Sequence, residues 1–455
     1  MTMTSIRQQA QALAAGHSTS EALIEQSLQG IELHRRQGGS AYISVDADGA
    51  RQAARASDLA RAAGYVPSPL AGLPVSIKDL FDVAGQVTAA GSTLLADSPA
   101  AALDAPVVQR LRNAGAILVG RTNMSEFAFS GLGLNPHHGT PLSPCAEGRI
   151  AGGSSSGAAV SVALGLAVAG LGTDTGGSVR IPAAFCGLTG FKPSARRVPL
   201  SGAFPLSGSL DSIGPLSHSV DDCALLDAIL SGEALDTRAA PLQGLRLAVT
   251  RDVLLDNLDP EVSSAFERSL AWLEQAGAQL RWFDFPELHE LPQINAAGGL
   301  VAAEAWHLHR GWLSSDDAER YDPRVAQRIR RGAAIDAAAY LDLLGERRRL
   351  IEAARQRLGD ADAWLLPSVA VVPPRLADLQ ADAAFFACNG LVLRNTSVIN
   401  FIDGCALSLP CHQAGELPVG LSIAGLNGQD ARVLQVSRSV EQLLRSKLDA
   451  TGGCQ

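Results

Sequence analysis

Two serine clusters set in glycine bracket residues 152–178. The first reads Gly152-Gly153-Ser154-Ser155-Ser156-Gly157 and the second Thr173-Asp174-Thr175-Gly176-Gly177-Ser178. Glycine lets backbone approach a ligand closely or take positive φ, and hydroxyls in such loops are either turn formers or nucleophiles. In the second cluster the amides of Thr175, Gly176, Gly177 and Ser178 are candidates to point inward together, with Pro182 placed to open a short helix just beyond. Consecutive free amides at a helix N-terminus suit an oxyanion, and a serine there would be a nucleophile beside its own oxyanion hole. A structural turn explains a bare GGS equally. In the first cluster, residues 153–157 match G-x-S-x-G, the nucleophile elbow of α/β-hydrolases, with Ser155 as the nucleophile of an esterase. That reading needs a strand directly before the serine, yet residues 148–152 make a poor one. It also needs a later histidine, for which only His218 and His412 lie near turn-like segments. Phosphate binding is unsupported: neither cluster has the lysine of a P-loop, and Gly170-x-Gly172 lacks the third glycine of a dinucleotide fingerprint.

Upstream, residues 67–82 read PSPLAGLPVSIKDLFD. A strand over 74–78 sends Val75 and Ile77 to one face and Ser76 and Lys78 to the other. A lysine usually ends on a solvated surface, and one that closes a short apolar strand is less ordinary. Lysine acts as a base only when neutral, so its usual pKa near ~10.4 must be pulled down by burial with no carboxylate paired to it. Asp79, next in the chain, points to the opposite face.

GGSSSG, then TDTGGSVRIPAAFCGLTGFKPS, with a lysine in VSIKD upstream, resembles the amidase signature family, over roughly residues 70–215. The resemblance implies an α/β fold with a central mixed β-sheet covered by helices on both faces. It implies a Ser–cis-Ser–Lys triad, whose lysine falls on Lys78, whose cis serine falls on Ser154 and whose nucleophile falls on Ser178. The two serines are 24 residues apart, the family's spacing. This moves the candidate nucleophile from Ser155 to Ser178, which would attack an amide carbonyl while Ser154 relays its proton to Lys78. The oxyanion would rest on the amides of Thr175, Gly176, Gly177 and Ser178. Asp174 and Arg180 are expected to brace that loop, Arg180 alternatively holding a substrate carboxylate. Ser155 is expected to bond Lys78 or the loop, and Phe127, Ser130 and Gly131 to match the pocket-lining segment. Arg394 is a further pocket candidate beside the plainer reading of a surface arginine. The expected substrate is a small amide cleaved by a stand-alone enzyme without metal or organic cofactor; the C-terminal resemblance implies a carboxylated or urea-like amide. The glutaminase subunit of a tRNA-dependent amidotransferase is the alternative, and a scaffold that merely kept the fold is the third reading.

The elements that must position these residues follow from composition and periodicity. The chain has 455 residues, 47% hydrophobic and 18% charged, enough for a substantial core. A net charge of −9 gives no basic footprint for nucleic acid or anionic lipid. Seven scattered cysteines suggest reduced thiols, and the N-terminus has no basic-then-apolar export pattern, so a cytoplasmic protein is expected. The run 157–172 is 16 residues, short of the about 20 strongly apolar residues of a membrane span. A helix followed by a strand fits it, with the serine loops at its two ends folding back toward each other. Helices are expected over 5–15, 19–36, 46–63, 106–114, 221–230, 261–276, 297–312, 323–358 and 429–444. The second of them would start on a Ser18-x-x-Glu21 capping box, and the arginines of 323–358 would face solvent. Strands are expected over 41–45, 74–78, 116–119, 245–250, 363–372, 406–410 and 419–424. Residues 121–131 read as a loop or helix start, and 193–215 as loop. The chain reads as a single domain over 1–455, with an N-terminal helical segment over 1–65, a signature core over 70–215 and a helical insertion or subdomain over 297–358. A homodimer is the default expectation.

Overall fold

Short segments rich in small and β-branched residues, cut apart by glycine and proline, line up as one mixed sheet. The computed structural model describes residues 5–452. Its strands are β1 (Tyr42–Val45), β2 (Pro74–Lys78), β3 (Ile117–Thr122), β4 (Ala169–Thr173), β5 (Thr189–Lys192), β6 (Ile213–Ser217), β7 (Arg246–Thr250), β8 (Gln279–Phe283), β9 (Ala363–Pro367), β10 (Cys405–Pro410) and β11 (Gly420–Gly425). They pair in the order β1-β3-β2-β4-β6-β5-β10-β11-β9-β7-β8. β3, β2 and β4 run parallel, as do β9, β7 and β8, while β4-β6-β5-β10-β11-β9 alternate antiparallel.

The helices are α1 (Ile6–Ala14), α2 (Ser20–Arg36), α3 (Ala47–Ala62), α4 (Pro106–Asn113), α5 (Ser156–Ala163), α6 (Arg180–Phe185), α7 (Val220–Ser231), α8 (Pro260–Gln275), α9 (Leu291–Ile294), α10 (Gly299–Leu313), α11 (Pro323–Arg330), α12 (Ala337–Leu358), α13 (Asp382–Phe401) and α14 (Asp430–Gly452). Strand alternation explains why both sheet faces are covered. On β7, Leu247 and Val249 pack with Phe266 and Leu270 of α8 and Val433 and Val440 of α14. Ala248, one residue out of phase, packs on the other face with Leu350 and Ala354 of α12 and Val398 and Ile399 of α13. Neighbouring β9 splits the same way, with Leu365 on the first face and Trp364 and Leu366 on the second.

The structure corrects several sequence expectations. Thr19, not Ser18, caps α2, with its side chain accepting from the Ala22 amide; the amides of Ser20 and Glu21 are taken by Asp58 of α3. The reciprocal capping box lies instead on α1, between Ser5 and Gln8. Helix 323–358 is broken by a 3₁₀ turn at Arg331–Ala334, and the strand expected to reach 372 stops at Pro367. Pro182 sits at the third residue of α6 rather than opening it. β5, β6, β8 and the 20-residue α13 were not expected. Among the described residues no helix is long and apolar enough to cross a membrane, and the six cysteines among them are free thiols.

Candidate active site

Parallel β2, β3 and β4 end at the same edge of the sheet, where α/β proteins commonly hold ligands. Lys78 is the last residue of β2 and Thr173 the last of β4. The β4–α6 connection carries the second serine cluster, and the loop entering α5 carries the first, so the helix–strand unit folds the two clusters together as its sequence suggests. The Ser155 amide donates to the Ser178 carbonyl at 3.2 Å. The Gly153–Ser154 peptide bond is cis.

Lys78 is fully buried, its Nζ donating to Ser154 Oγ at 2.7 Å and to Thr173 Oγ1 at 2.8 Å. No ion pair reaches it among the described residues. Burial pulls the amine down to about 7, against the opposing fields of Asp211 and Asp174. Asp79 does turn away: it accepts from Arg121 Nε at 2.6 Å and from the Gly91 amide. Thr173, which sequence reasoning passed over, shares the lysine equally with Ser154. The Ser178 hydroxyl has no hydrogen-bond partner among the described residues and lies on the wall of a cavity of about 500 Å³.

Asp174 shapes the loop that presents Ser178. Its Oδ1 accepts from the Gly177 amide at 2.8 Å and its Oδ2 from the Val179 amide at 3.2 Å. Arg180 closes on both oxygens, at 3.0 and 2.9 Å, with both side chains at 0% exposure. Burial pushes the Asp174 carboxyl up, but Arg180 outweighs it and holds the group at about 2. Arg180 is therefore committed to Asp174, Thr396 and Asn400, not to a substrate carboxylate. The bonding also removes Gly177 from the expected oxyanion set, because its N–H is taken. The amides of Thr175, Gly176 and Ser178 carry no hydrogen bond among the described residues. Gly177 has φ +134°, and a Cβ there would meet Thr396 Oγ1 at 2.1 Å, so only glycine fits.

The unexpected helix α13 fixes the same loop from behind. Thr396 Oγ1 donates to the Gly176 carbonyl at 2.6 Å, and Asn400 Nδ2 to the Asp174 carbonyl and Oδ1. From the first cluster, Ser155 Oγ donates to the Thr173 carbonyl at 3.3 Å and not to Lys78. It follows bends rather than a strand, and its hydroxyl bonds to Thr173 and to no histidine among the described residues, so the elbow geometry is absent.

Of the expected pocket segment, Ser130 lines the cavity, and Asn389 Oδ1 accepts from Ser130 Oγ and the Gly131 amide. Gly131 lends its carbonyl to the Gly153 amide at 2.8 Å. Phe127 is a correction: it is buried against Phe204, His309 and Tyr321, and its neighbours Ala128 and Phe129 reach the wall instead. Arg328, at the end of α11, also reaches that wall rather than solvent. Its guanidinium lies 4.3 Å over the Phe129 ring and donates to the Phe129 carbonyl. It has no carboxylate partner among the described residues, and burial, with the nearby Arg331, lowers it to about 10. Arg394 is a wall residue as well, partly buried and donating to the carbonyls of Asp256 and Leu254. Among the described residues no group of three or more His, Cys, Asp or Glu is set to hold a metal ion.

Against known proteins, the Amidase family matches residues 22–434. The chain belongs to the amidase family. An amidase crystal structure superposes with a TM-score of 0.88 at 35% identity, covering 98% of this chain and all of the other. The 2-amino-5-chloromuconic acid deaminase of Comamonas testosteroni is 40% identical over 413 residues, 89% of this chain and 88% of the relative. A glutamyl-tRNA(Gln) amidotransferase subunit of Acidobacterium capsulatum is 32% identical over 97% of this chain and 98% of its own. The amidase fold and hydrolytic chemistry at C–N bonds are thus this chain's, and the mixed sheet with helices on both faces is the amidase architecture.

Proposed function

We propose that this amidase cleaves the C–N bond of a small substrate through an acyl-enzyme on Ser178, with cis-Ser154 passing the proton to Lys78. The observation that carries this reading is the buried Lys78 amine, 2.7 Å from Ser154 Oγ and drawn to about 7 without a salt-bridged carboxylate. A neutral amine accepts the Ser154 proton, and Ser154 in turn takes the proton of Ser178 as that hydroxyl attacks. The oxyanion rests on the amides of Thr175, Gly176 and Ser178. The proton returns by the same relay to the leaving nitrogen, and water then cleaves the acyl-enzyme.

The substrate carries a carboxylate. Arg328 supports this: with Arg331 and Arg394 it is one of three arginines on the cavity wall, and it has no carboxylate partner among the described residues. The deaminase of Comamonas testosteroni, whose name is that of an amino-substituted acid, points the same way. The stand-alone enzyme is a cytoplasmic homodimer. The amidotransferase relatives, 32–34% identical, favour a second reading, a glutaminase that needs partner chains.

Ammonia release from a panel of carboxylated and neutral amides, with and without glutamine and cell extract, tests the reading. Ser178→Ala is expected to lose at least roughly 10³-fold in kcat while Ser155→Ala keeps part of its activity. A folded Ser178→Ala protein with full turnover refutes the reading. Glutamine turnover only with extract transfers it to the amidotransferase class.

A further inference from the structure

Asp211 is a buried carboxylate that the proton relay does not use, in the loop between β5 and β6. Its Oδ1 accepts the Thr175 hydroxyl at 2.5 Å, and its Oδ2 accepts the amides of Leu206 and Ser207, both at 3.0 Å. Thr175 stands three residues before Ser178 and contributes one of the free amides at the cavity. The 206–211 segment is itself held from outside. Glu304 of α10 accepts from the Ser207 hydroxyl at 2.7 Å, from the Ser209 amide and hydroxyl, and from the Tyr340 hydroxyl of α12. Leu206 and Leu210, at the two ends of this segment, line the same cavity as Ser178.

We propose that Asp211 is a positioning residue of the catalytic centre: its carboxylate fixes the Thr175 side of the oxyanion loop, and its charge steadies the ammonium that forms on Lys78. This rests on the Ser178–Ser154–Lys78 reading. The charged groups around Lys78 are few. Asp174 is neutralised by Arg180 and lies near Lys192, whose amine is bound to the carbonyls of Pro193 and Gly404. Among the described residues Asp211 has no cationic partner within hydrogen-bond reach; Glu304 and Thr175 are the other polar side chains that bear on it. Burial raises Asp211 to about 6, so it is charged above that pH and, with no cation of its own among the described residues, acts on the relay beside the paired Asp174. Each transfer turns the neutral Lys78 into an ammonium in a buried site, where it loses its hydration. A carboxylate placed nearby but not salt-bridged favours that ammonium while leaving the amine free to accept a proton.

The test is the pH profile of kcat/KM for Asp211→Asn. A negative Asp211 raises the pH at which Lys78 loses its proton. Removing it abolishes the ionisation of Asp211 near 6 and moves the separate Lys78 ionisation near 7 to lower pH by about half a unit or more, and lowers the plateau about tenfold through a weaker base and a looser loop. A structural role alone lowers thermal stability and leaves the Lys78 ionisation where it was; that result overturns the proposal, while an inactive Ser178→Ala keeps the parent reading intact. Should Asp211→Asn fail to fold, the pair Thr175→Val and Thr175→Ser decides. A reduced kcat in Val restored by Ser supports the proposal, and wild-type kcat in folded Thr175→Val overturns it.

Discussion

Arg328 shows how one side chain departs from what its neighbours in sequence suggest. It sits in a stretch with arginines at 324, 328, 330 and 331 that reads as a solvated charged face. Arg324 and Arg330 do find partners at the surface, Arg324 in Asp382 and Arg330 in the Leu313 carbonyl. Arg328, one turn on from Arg324, lies over Phe129 with no carboxylate of its own among the described residues and the like charge of Arg331 near enough to disfavour it. An incoming carboxylate relieves both conditions, and because its charge does not change during the reaction it is held equally in the ground state and the transition state. Arg328→Ala is therefore expected to raise KM for a carboxylated substrate by roughly 10–100-fold with kcat changed far less. Arg328→Lys should recover part of the loss, since an ammonium keeps the charge but not the forked geometry. Steady-state kinetics on matched carboxylated and amidated substrates reads this; an equal KM rise for both would remove the carboxylate from the proposed function.

At the scale of elements, the loop between β4 and α6 is held by α13 and by the Asp174–Arg180 pair. Replacing Asp174 with Asn leaves the Arg180 guanidinium buried without its counter-charge, an expected loss of about 3–5 kcal/mol in stability. The pH dependence follows from the depressed carboxyl. Asp174 stands at about 2 in the folded chain against 3.8 ordinarily. The stability it gives is present above 3.8 and lost as pH falls toward 2. Acid unfolding followed by circular dichroism should accordingly be shallower in Asp174→Asn than in the wild type, and equal slopes would deny the pair its stabilising role. The residues of this loop were legible in the sequence because motif and spacing name them: Lys78, Ser154, Ser178, Asp174 and Arg180 all meet at one edge of the sheet. What holds them was not. α13 reads DAAFFACNGLVLRNTSVINF, with apolar residues on most faces and asparagines that turn inward, so it lacks the polar stripe by which an amphipathic helix is recognised. Thr396 and Asn400 make their bonds across more than 200 residues of chain, a separation no local pattern encodes. β5 and β6 were hidden for another reason: TGFK and IGPLS are short and carry glycine or proline, which local propensity assigns to turns. β8 lies at a sheet edge with several exposed side chains, so its burial signal is weak.

Across the whole molecule, the first and last of the helices meet at α7. The Ile6 amide of α1 donates to Asp222 Oδ1 at 3.1 Å, and the Val220 amide donates to Glu441 of α14 at 3.2 Å. The 11-stranded sheet is thereby clasped by helices from residues 6 and 441, and the carboxylates that do this are poorly solvated. Burial raises Glu441 to about 7 and Asp222 to about 6, with Arg445 only partly offsetting it. A carboxyl raised by folding favours the native state while protonated. The contribution of Glu441 is thus fully present below 4.5 and is lost as pH rises through about 7. Glu441→Gln keeps an oxygen to accept the Val220 amide and removes the titration. Lys78, at about 7, and the buried Asp222 and Asp227, at about 6, titrate in the same range, so the difference between variant and wild type is the quantity to follow. The melting temperature of Glu441→Gln minus that of wild type should grow more positive between about pH 5 and pH 8, by several degrees. A difference that stays flat over that range would mean that Glu441 is solvated in the folded chain, and that the clasp between α7 and α14 is held by its apolar contacts alone.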